Sequence, residues 1–507
     1  MACNSTPLLT AAENSQSRRV NEREDSRSGR RVMVNSVVRG SGGHRSRRLI
    51  LADQTSAIMV RGSFRQPASA IPCGPLPMLN SRFGSLAVCI PLLSAMLGSF
   101  GPSPQCILAE DWNVFRGPWG NGIANTDASV PTEWSREKNI AFRTELPGQG
   151  WSSPVIANDW IYVSAAIPID QSTDPKTTDY DLSLIVLDAK SGDVLKTVSL
   201  MRQTAEKSPK IHKKNSHASP TPIVDGDRVF VHFGYQGTAC VDLEGNVIWK
   251  NRDLFFKPVH GNGGTPVLVD DKLIFTCDGA SDPKVVALDA KTGKIAWEVE
   301  RPNDANRKFS FCTPALIVVN GQKQVIAPGS DCVLSIAPAD GRVIWQLLYS
   351  GYSVIPKPIY HNGLVYLSTS YDTPSMLAID PTGEGDVTDT HLEWSLKKNV
   401  PHTPSMLADE EWIYSISDDG IAMCVEAATG EIVYKKRVGG GFSSSPVMVD
   451  NKIYYTNESG LTTVIASGPD YKVLAENDLG ERTLASAAVH GNALFIRTAD
   501  AIYRIEE

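Results

Sequence analysis

The chain has 507 residues, of which 42% are hydrophobic, with 40 glycines, 32 prolines and a formal net charge of −7. That length accommodates one large domain or two ordinary ones. The charge is unevenly divided: residues 1–109 hold 13 arginines against 5 acids, and the remainder holds 36 basic against 51 acidic residues. So acidic a remainder argues against nucleic acid as its partner.

Residues 1–77 are rich in Arg and Ser, lack a periodic apolar pattern and are expected to be disordered. From Met78 the pattern changes: Arg82 precedes an apolar run from Leu86 to Leu97, and small or polar residues lead to Ala109. This is the layout of a secretory signal peptide cleaved after Ala109. The apolar run is too short to span a bilayer, which takes about 20 residues. The expectation is therefore a protein exported to the periplasm or cell envelope, without a transmembrane span after cleavage. Met78 is read as the true start and 1–77 as an over-extended reading frame; the alternatives are a natural basic tail or an uncleaved anchor. Cys106 follows Ser103-Pro104-Gln105, which is not a lipid-attachment motif.

Residues 110–507 are read as one folded domain. After Trp112-Asn113-Val114-Phe115-Arg116-Gly117-Pro118 comes a strand-like stretch, Asn139–Leu146, and then Gly148-Gln149-Gly150-Trp151-Ser152-Ser153-Pro154. From there a unit recurs. It opens on a Ser/Thr-Pro or similar step followed by alternating apolar residues, at Pro154, Pro222, Pro266, Pro314, Pro358, Pro404 and Pro446, with Ala487 in the eighth place. It also contains a turn of the form Leu288-Asp289-Ala290-Lys291-Thr292-Gly293-Lys294-Ile295-Ala296-Trp297. There Asp289 can accept backbone N–H groups ahead of it, and Gly293 can take the positive φ that closes a hairpin. Variants occur at Asp188–Gly192, Asp242–Gly245, Asp340–Gly341, Asp380–Gly383 and Ala428–Gly430, and an aromatic follows the glycine by four residues at Trp249, Trp297, Trp345 and Tyr434.

The starts lie 41 to 48 residues apart after a first interval of 68, enough for four short strands each, the size of one propeller blade. The eighth unit has room for only three strands before Glu507. Asn139–Leu146 can supply the fourth, with Phe142 in the aromatic position. The expected fold is all-β: an eight-bladed β-propeller of four antiparallel strands per blade, its last blade completed by an N-terminal strand. The cysteines show no metal spacing. Cys240, Cys277, Cys312, Cys332 and Cys424 each sit in or beside an apolar run, as small buried hydrophobes or, for a pair such as Cys312 and Cys332, as a disulfide.

The Asp-Ala-Lys-Thr-Gly-Lys-x-x-Trp unit resembles the pyrroloquinoline-quinone-like (quinoprotein-type) β-propeller repeat. That family includes quinoprotein alcohol dehydrogenases and the propeller that scaffolds outer-membrane β-barrel assembly. The Trp112–Pro118 and Gly148–Pro154 segments resemble those of uncharacterised exported members from planctomycete-type bacteria. The resemblance implies that Phe142, Trp249, Trp297, Trp345 and Tyr434 dock between neighbouring blades. It also implies that residues just before each innermost strand meet at one channel mouth: Trp151, His217, His260, Lys308, Lys357, His402 and Arg482, with Asp278, Asp331, Asp372 and Asp418 approaching from loops.

The family's catalytic parts are not recognisable. No two cysteines are adjacent, no calcium set of Glu, Asn and Asp can be assigned, and other catalytic motifs are missing. No cofactor is expected. The function read from the sequence is a monomeric, non-catalytic scaffold that binds envelope proteins or a small polar or glycan ligand. Lys207, Lys210, Lys213 and Lys214 would form a basic docking loop. The alternatives are a quinone- and calcium-dependent oxidoreductase and a glycan-binding or glycan-cleaving propeller. Cleavage would need paired carboxylates, for which Asp331 and Asp418 are the candidates.

Overall fold

The recurring turn closes the hairpin between the third and fourth strands in six of the eight sheets. In its best-formed copy Asp289 Oδ1 accepts the N–H of Thr292 at 2.8 Å and its hydroxyl at 2.7 Å. Gly293 adopts φ +71°. The strand Ile295–Glu300 then pairs back on Lys284–Asp289, with Trp297 opposite Ala287 just before a bulge.

A computed structural model describes residues 111–507 except 126, 170–177, 208–210 and 302–304. The proposed signal peptide and the preceding basic segment lie outside the described residues, as does Lys210. Eight sheets follow one another, each antiparallel and four-stranded in sequential order, with one addition noted below. In chain order the blades span 155–203, 223–251, 267–300, 315–348, 359–397, 407–437 and 447–478. The eighth consists of Ala488–His490, Ala493–Arg497 and Ala501–Ile505 closed by Ile140–Glu145, which pairs antiparallel with the last of these. The expected ring closure is therefore present. Apart from strands, the described residues form only two short 3₁₀ turns.

The apolar core is divided into wedges between blades. One, for example, joins Phe230 and Cys240 of blade 2 to Leu273, Phe275, Val286 and Leu288 of blade 3. All five described cysteines are buried free thiols, so Cys312 and Cys332 are not joined.

The repeat aromatics stitch these wedges. The indole N–H of Trp249 donates to Ala290 O at 3.0 Å and that of Trp297 to Pro338 O at 3.0 Å. Trp345 reaches Pro381 O at 3.1 Å, also across to the next blade. Phe142 lies on Gly192 of blade 1, and Tyr434 meets Tyr471 of blade 7 edge-on. Two further positions complete the pattern. Trp394 of blade 5 donates to Ala427 O at 3.0 Å, and Lys196 of blade 1 donates its ammonium to Leu243 O at 2.9 Å. Trp394 escapes a glycine-plus-four reading because the blade 5 turn is lengthened. The extra residues form a short strand, Gly385–Asp386, that pairs parallel with the outer strand of blade 4 and gives that sheet a fifth member.

One blade start also needs a correction. In blade 6 the innermost strand is Leu407–Asp409, so Met406, and not Pro404, occupies the place that Pro154 holds before Val155.

Candidate functional site

The residue before each innermost strand's leading position builds a ring around the propeller axis. Seven of the eight are hydroxyls (Ser153, Thr221, Thr265, Thr313, Ser405, Ser445 and Ser486), and the fifth is Lys357. Hydrogen bonds link them from blade to blade. The backbone N–H of Ser153 donates to Thr221 Oγ1 (3.0 Å), Thr221 to Thr265 Oγ1 (2.9 Å) and Thr265 to Thr313 Oγ1 (2.9 Å). The series resumes with Lys357 N–H to Ser405 Oγ (3.0 Å), Ser405 to Ser445 Oγ (2.9 Å) and Ser445 to Ser486 Oγ (2.9 Å). The close approach of eight innermost strands leaves these N–H groups without a strand partner, and the neighbour's hydroxyl satisfies them.

One end of the channel is closed by the segment that precedes the first blade. It pairs with Ile156 of blade 1 through Trp112, and at blade 2 Asn113 O accepts the Val224 N–H while the Asn113 side-chain amide donates to Val224 O at 3.1 Å. It then crosses to blade 7, where Gly122, Ile123 and Ala124 bind Met448. Arg116 anchors the crossing, donating to the carbonyls of Met406 (2.7 Å), Pro446 (3.1 Å) and Asn121 (2.6 Å). Its Nε is buried without a partner. Phe115 faces the channel as its floor. Lys357 lies against this floor: a methyl group on Gly120 would fall 2.1 Å from its Nζ. Burial and the neighbouring Arg116 lower the Lys357 amine to about 7, and burial lowers Arg116 to about 9.

At the opposite end the loop between blades 1 and 2 passes over the mouth. Ile211 and His212 bond to His260 of the next inter-blade loop. Lys214 reaches the far side, 2.8 Å from Glu458 Oε1 and 3.9 Å from Asp418 Oδ1. Arg482 of blade 8 donates to Lys213 O at 3.1 Å. Floor and strap together enclose a cavity of about 620 Å³. Below the strap an arc of rings runs His212–His260–Phe309–Tyr352–Tyr371, with successive centroids 5.5 to 6.3 Å apart. Trp151 stands opposite, with the Arg482 guanidinium 5.2 Å from its ring centre.

Of the residues expected at the mouth, Trp151 and His260 line the cavity, as does Lys214 of the docking loop. Arg482 stays exposed above Trp151. Lys308 is half-buried beside the lining residues Arg307 and Phe309. His402 sits behind Tyr371, ring centres 4.6 Å apart. His217 turns away, packed on Tyr180 and bonded to Gln203, and burial lowers it to about 4. Lys357 belongs to the buried ring and not to the rim. The three histidines therefore do not converge. Lys213 is exposed, and Lys207 ends a 3₁₀ turn at the start of the strap.

The loop acids are also committed elsewhere. Asp278 forms a buried two-pronged pair with Arg301, at 2.8 and 2.7 Å, and burial raises its carboxyl despite that partner. Asp331 accepts the Gly351 N–H, and Asp372 accepts the Tyr352 hydroxyl. Asp418 accepts both the N–H and hydroxyl of Thr403. No carboxylate is among the described residues that line the cavity, so the Asp331–Asp418 pair considered for glycan cleavage does not face it.

A calcium ion asks for six to eight oxygen ligands. Among the described residues no group of three or more His, Cys, Asp or Glu side chains is placed to hold a metal.

Residues 185–436 and 378–504 match a family model described as outer membrane protein assembly factor BamB. No curated protein matches the chain significantly by sequence. Among solved structures, a europium-containing methanol dehydrogenase superposes with a TM-score of 0.54 at 10% identity, over 77% of this chain and 90% of its own. BamB from Moraxella catarrhalis gives 0.49 at 13% identity, over 72% and 99%. A quinohemoprotein alcohol dehydrogenase from Comamonas testosteroni gives 0.39 at 13% identity, over 78% and 80%. At these identities the likeness is one of fold. No helix among the described residues is long and apolar enough to cross a membrane.

Proposed function

The chain belongs to the family of outer membrane protein assembly factor BamB, and we propose that it is an exported, non-catalytic binding propeller that holds a small ligand on its axis. One observation carries this reading. The channel is floored by the Phe115 segment and strapped by the Lys214 loop, leaving a cavity of about 620 Å³ with aromatic walls. That is the size and lining of a small-molecule site. The acids nearby are held by the protein's own donors, which favours binding over acid–base chemistry.

The test is a thermal-shift and native-mass screen of the full chain against neutral, anionic and cationic small molecules, run beside Thr265→Trp, which fills the cavity. At least one class is expected to raise the melting temperature of the wild type and to lose that effect in the variant. A screen in which nothing binds, or in which Thr265→Trp binds equally well, overturns the reading.

A second role, docking of envelope proteins, is favoured by the family and by Phe255, which is 79% exposed on the loop between blades 2 and 3. An exposed ring of that size on a rigid scaffold suits a partner surface.

A further inference from the structure

The hydroxyl ring has a polarity that a list of lining residues does not reveal. A Ser or Thr hydroxyl has one proton to donate and two lone pairs that accept. In Thr221, Thr265, Thr313, Ser405, Ser445 and Ser486 a lone pair is taken by the N–H of the preceding blade. None of the six donates to any described residue. Each therefore keeps a spare O–H while its oxygen is already engaged, and all six line the cavity. The inner ring is a set of donors in search of an acceptor.

The surrounding charge has the same sign. Three cations are buried around the axis: Arg116, 1% exposed, Arg497, 2%, and Lys357, 7%. Arg116 and Arg497 bind only backbone carbonyls and one Ser hydroxyl, and each leaves its Nε without a partner. Lys357 makes no side-chain hydrogen bond to a described residue. Burying a charge without a counter-ion is costly: Arg116 and Arg497 carry that cost as cations, and Lys357 meets it with an amine lowered to about 7. At the mouth Lys214 and Arg307 line the cavity already paired, with Glu458 at 2.8 Å and Asp372 at 3.6 Å, so the uncompensated charge is that of the buried cations, in a part of the chain (110–507) that carries 51 acidic against 36 basic residues. Buried cations without counter-ions beside a ring of spare hydroxyl donors favour an anionic occupant.

We propose that the floor of the cavity is an oxoanion site for a phosphate or sulfate group, seated on the Thr313–Lys357–Ser405 arc of the ring. This rests on the reading of the cavity as a ligand site and names the class of ligand. Oxygens of the anion accept the spare hydroxyl protons, and the Lys357 and Arg116 charges lower its energy through the wall. The aromatic arc above leaves room for an organic group bonded to the anion.

Isothermal titration of the full chain, at constant ionic strength, with inorganic phosphate, inorganic sulfate, phenyl phosphate, calcium chloride and a neutral hexose tests this. Phosphate or sulfate is expected to bind, and Lys357→Met and Thr313→Val are each expected to weaken binding tenfold or more. Lys436→Ala, on the outer strand of blade 6, is expected to leave it unchanged. Tighter binding of phenyl phosphate than of phosphate identifies an esterified ligand; equal binding identifies the free ion. Lys357→Met keeps every ring hydrogen bond, whereas Thr313→Val also removes the acceptor of the Thr265 N–H; melting curves report whether each variant folds. Oxoanion binding that is absent, or equal in wild type and both folded variants, overturns the site. Binding of the hexose alone overturns the oxoanion assignment and leaves the ligand cavity standing.

Discussion

At the scale of single residues, burial sets which groups titrate. His232 is enclosed, with Nδ1 2.8 Å from Thr238 Oγ1 and its ring on Phe275, and burial lowers its pKa to about 3. An unfolded histidine titrates near 6.5. Between those values the unfolded chain binds the additional proton, so the stability owed to neutral His232 is complete above about pH 6.5 and declines as pH falls towards 3. Urea midpoints should therefore fall between about pH 7 and pH 4. His232→Gln, with no proton to gain, should show a shallower fall, from a starting stability lower by about 1–2 kcal/mol. An equal slope in the variant would reject burial of His232 as a cause. Residue identities at the axis were legible in part. The Ser/Thr-Pro step marks the ring, but its role was hidden, because a hydroxyl facing a neighbouring blade's N–H is a relation between residues some 40 positions apart. The family resemblance puts His217 and His402 at the rim through their place just before an innermost strand. Side-chain direction, which spacing does not carry, turned them onto Tyr180 and behind Tyr371.

Within an element, the turn glycines serve two purposes that can be separated. Gly293 has positive φ, and a Cβ there would lie 2.4 Å from the Trp249 ring; Gly363 has φ +83° with nothing within 4 Å of a Cβ. Gly293→Ala combines backbone strain with a displaced inter-blade indole, at a cost of about 2–4 kcal/mol, whereas Gly363→Ala costs about 1–2 kcal/mol from φ alone. Equilibrium denaturation of the two variants measures the difference, and equal losses would remove the inter-blade role from Trp249. The Asp-to-Gly turn made most blades readable in advance. Blade 5 resisted because its extra strand, Gly385–Asp386, separates Trp394 from Gly383. Blade 1 resisted because Lys196 replaces the indole with an ammonium that donates to the equivalent carbonyl, a substitution of chemistry that conserves only the hydrogen bond.

The ring as a whole is closed by chain segments from opposite ends, and this was the most legible feature, since three strands at the C-terminus need a fourth. Deleting 139–146 exposes the edge of Ala501–Ile505 and uncovers Gly192. Unpaired strand edges recruit other chains. The deletion variant is expected to elute from size exclusion as oligomers or aggregate, and a well-behaved monomer with unchanged melting would show that closure contributes little. The floor of the channel was not legible, because Trp112–Gly122 has no strand pattern and its partners are scattered over blades 1, 2, 6 and 7.

That floor imposes a timetable on assembly. Arg116 rests on Met406 and Pro446, which follow it by 290 and 330 positions. The ribosome therefore delivers the stopper before the bottle. Trp112 and Asn113 can pair with blades 1 and 2 early, but Arg116 has nothing to seat against until nearly the whole chain has been made.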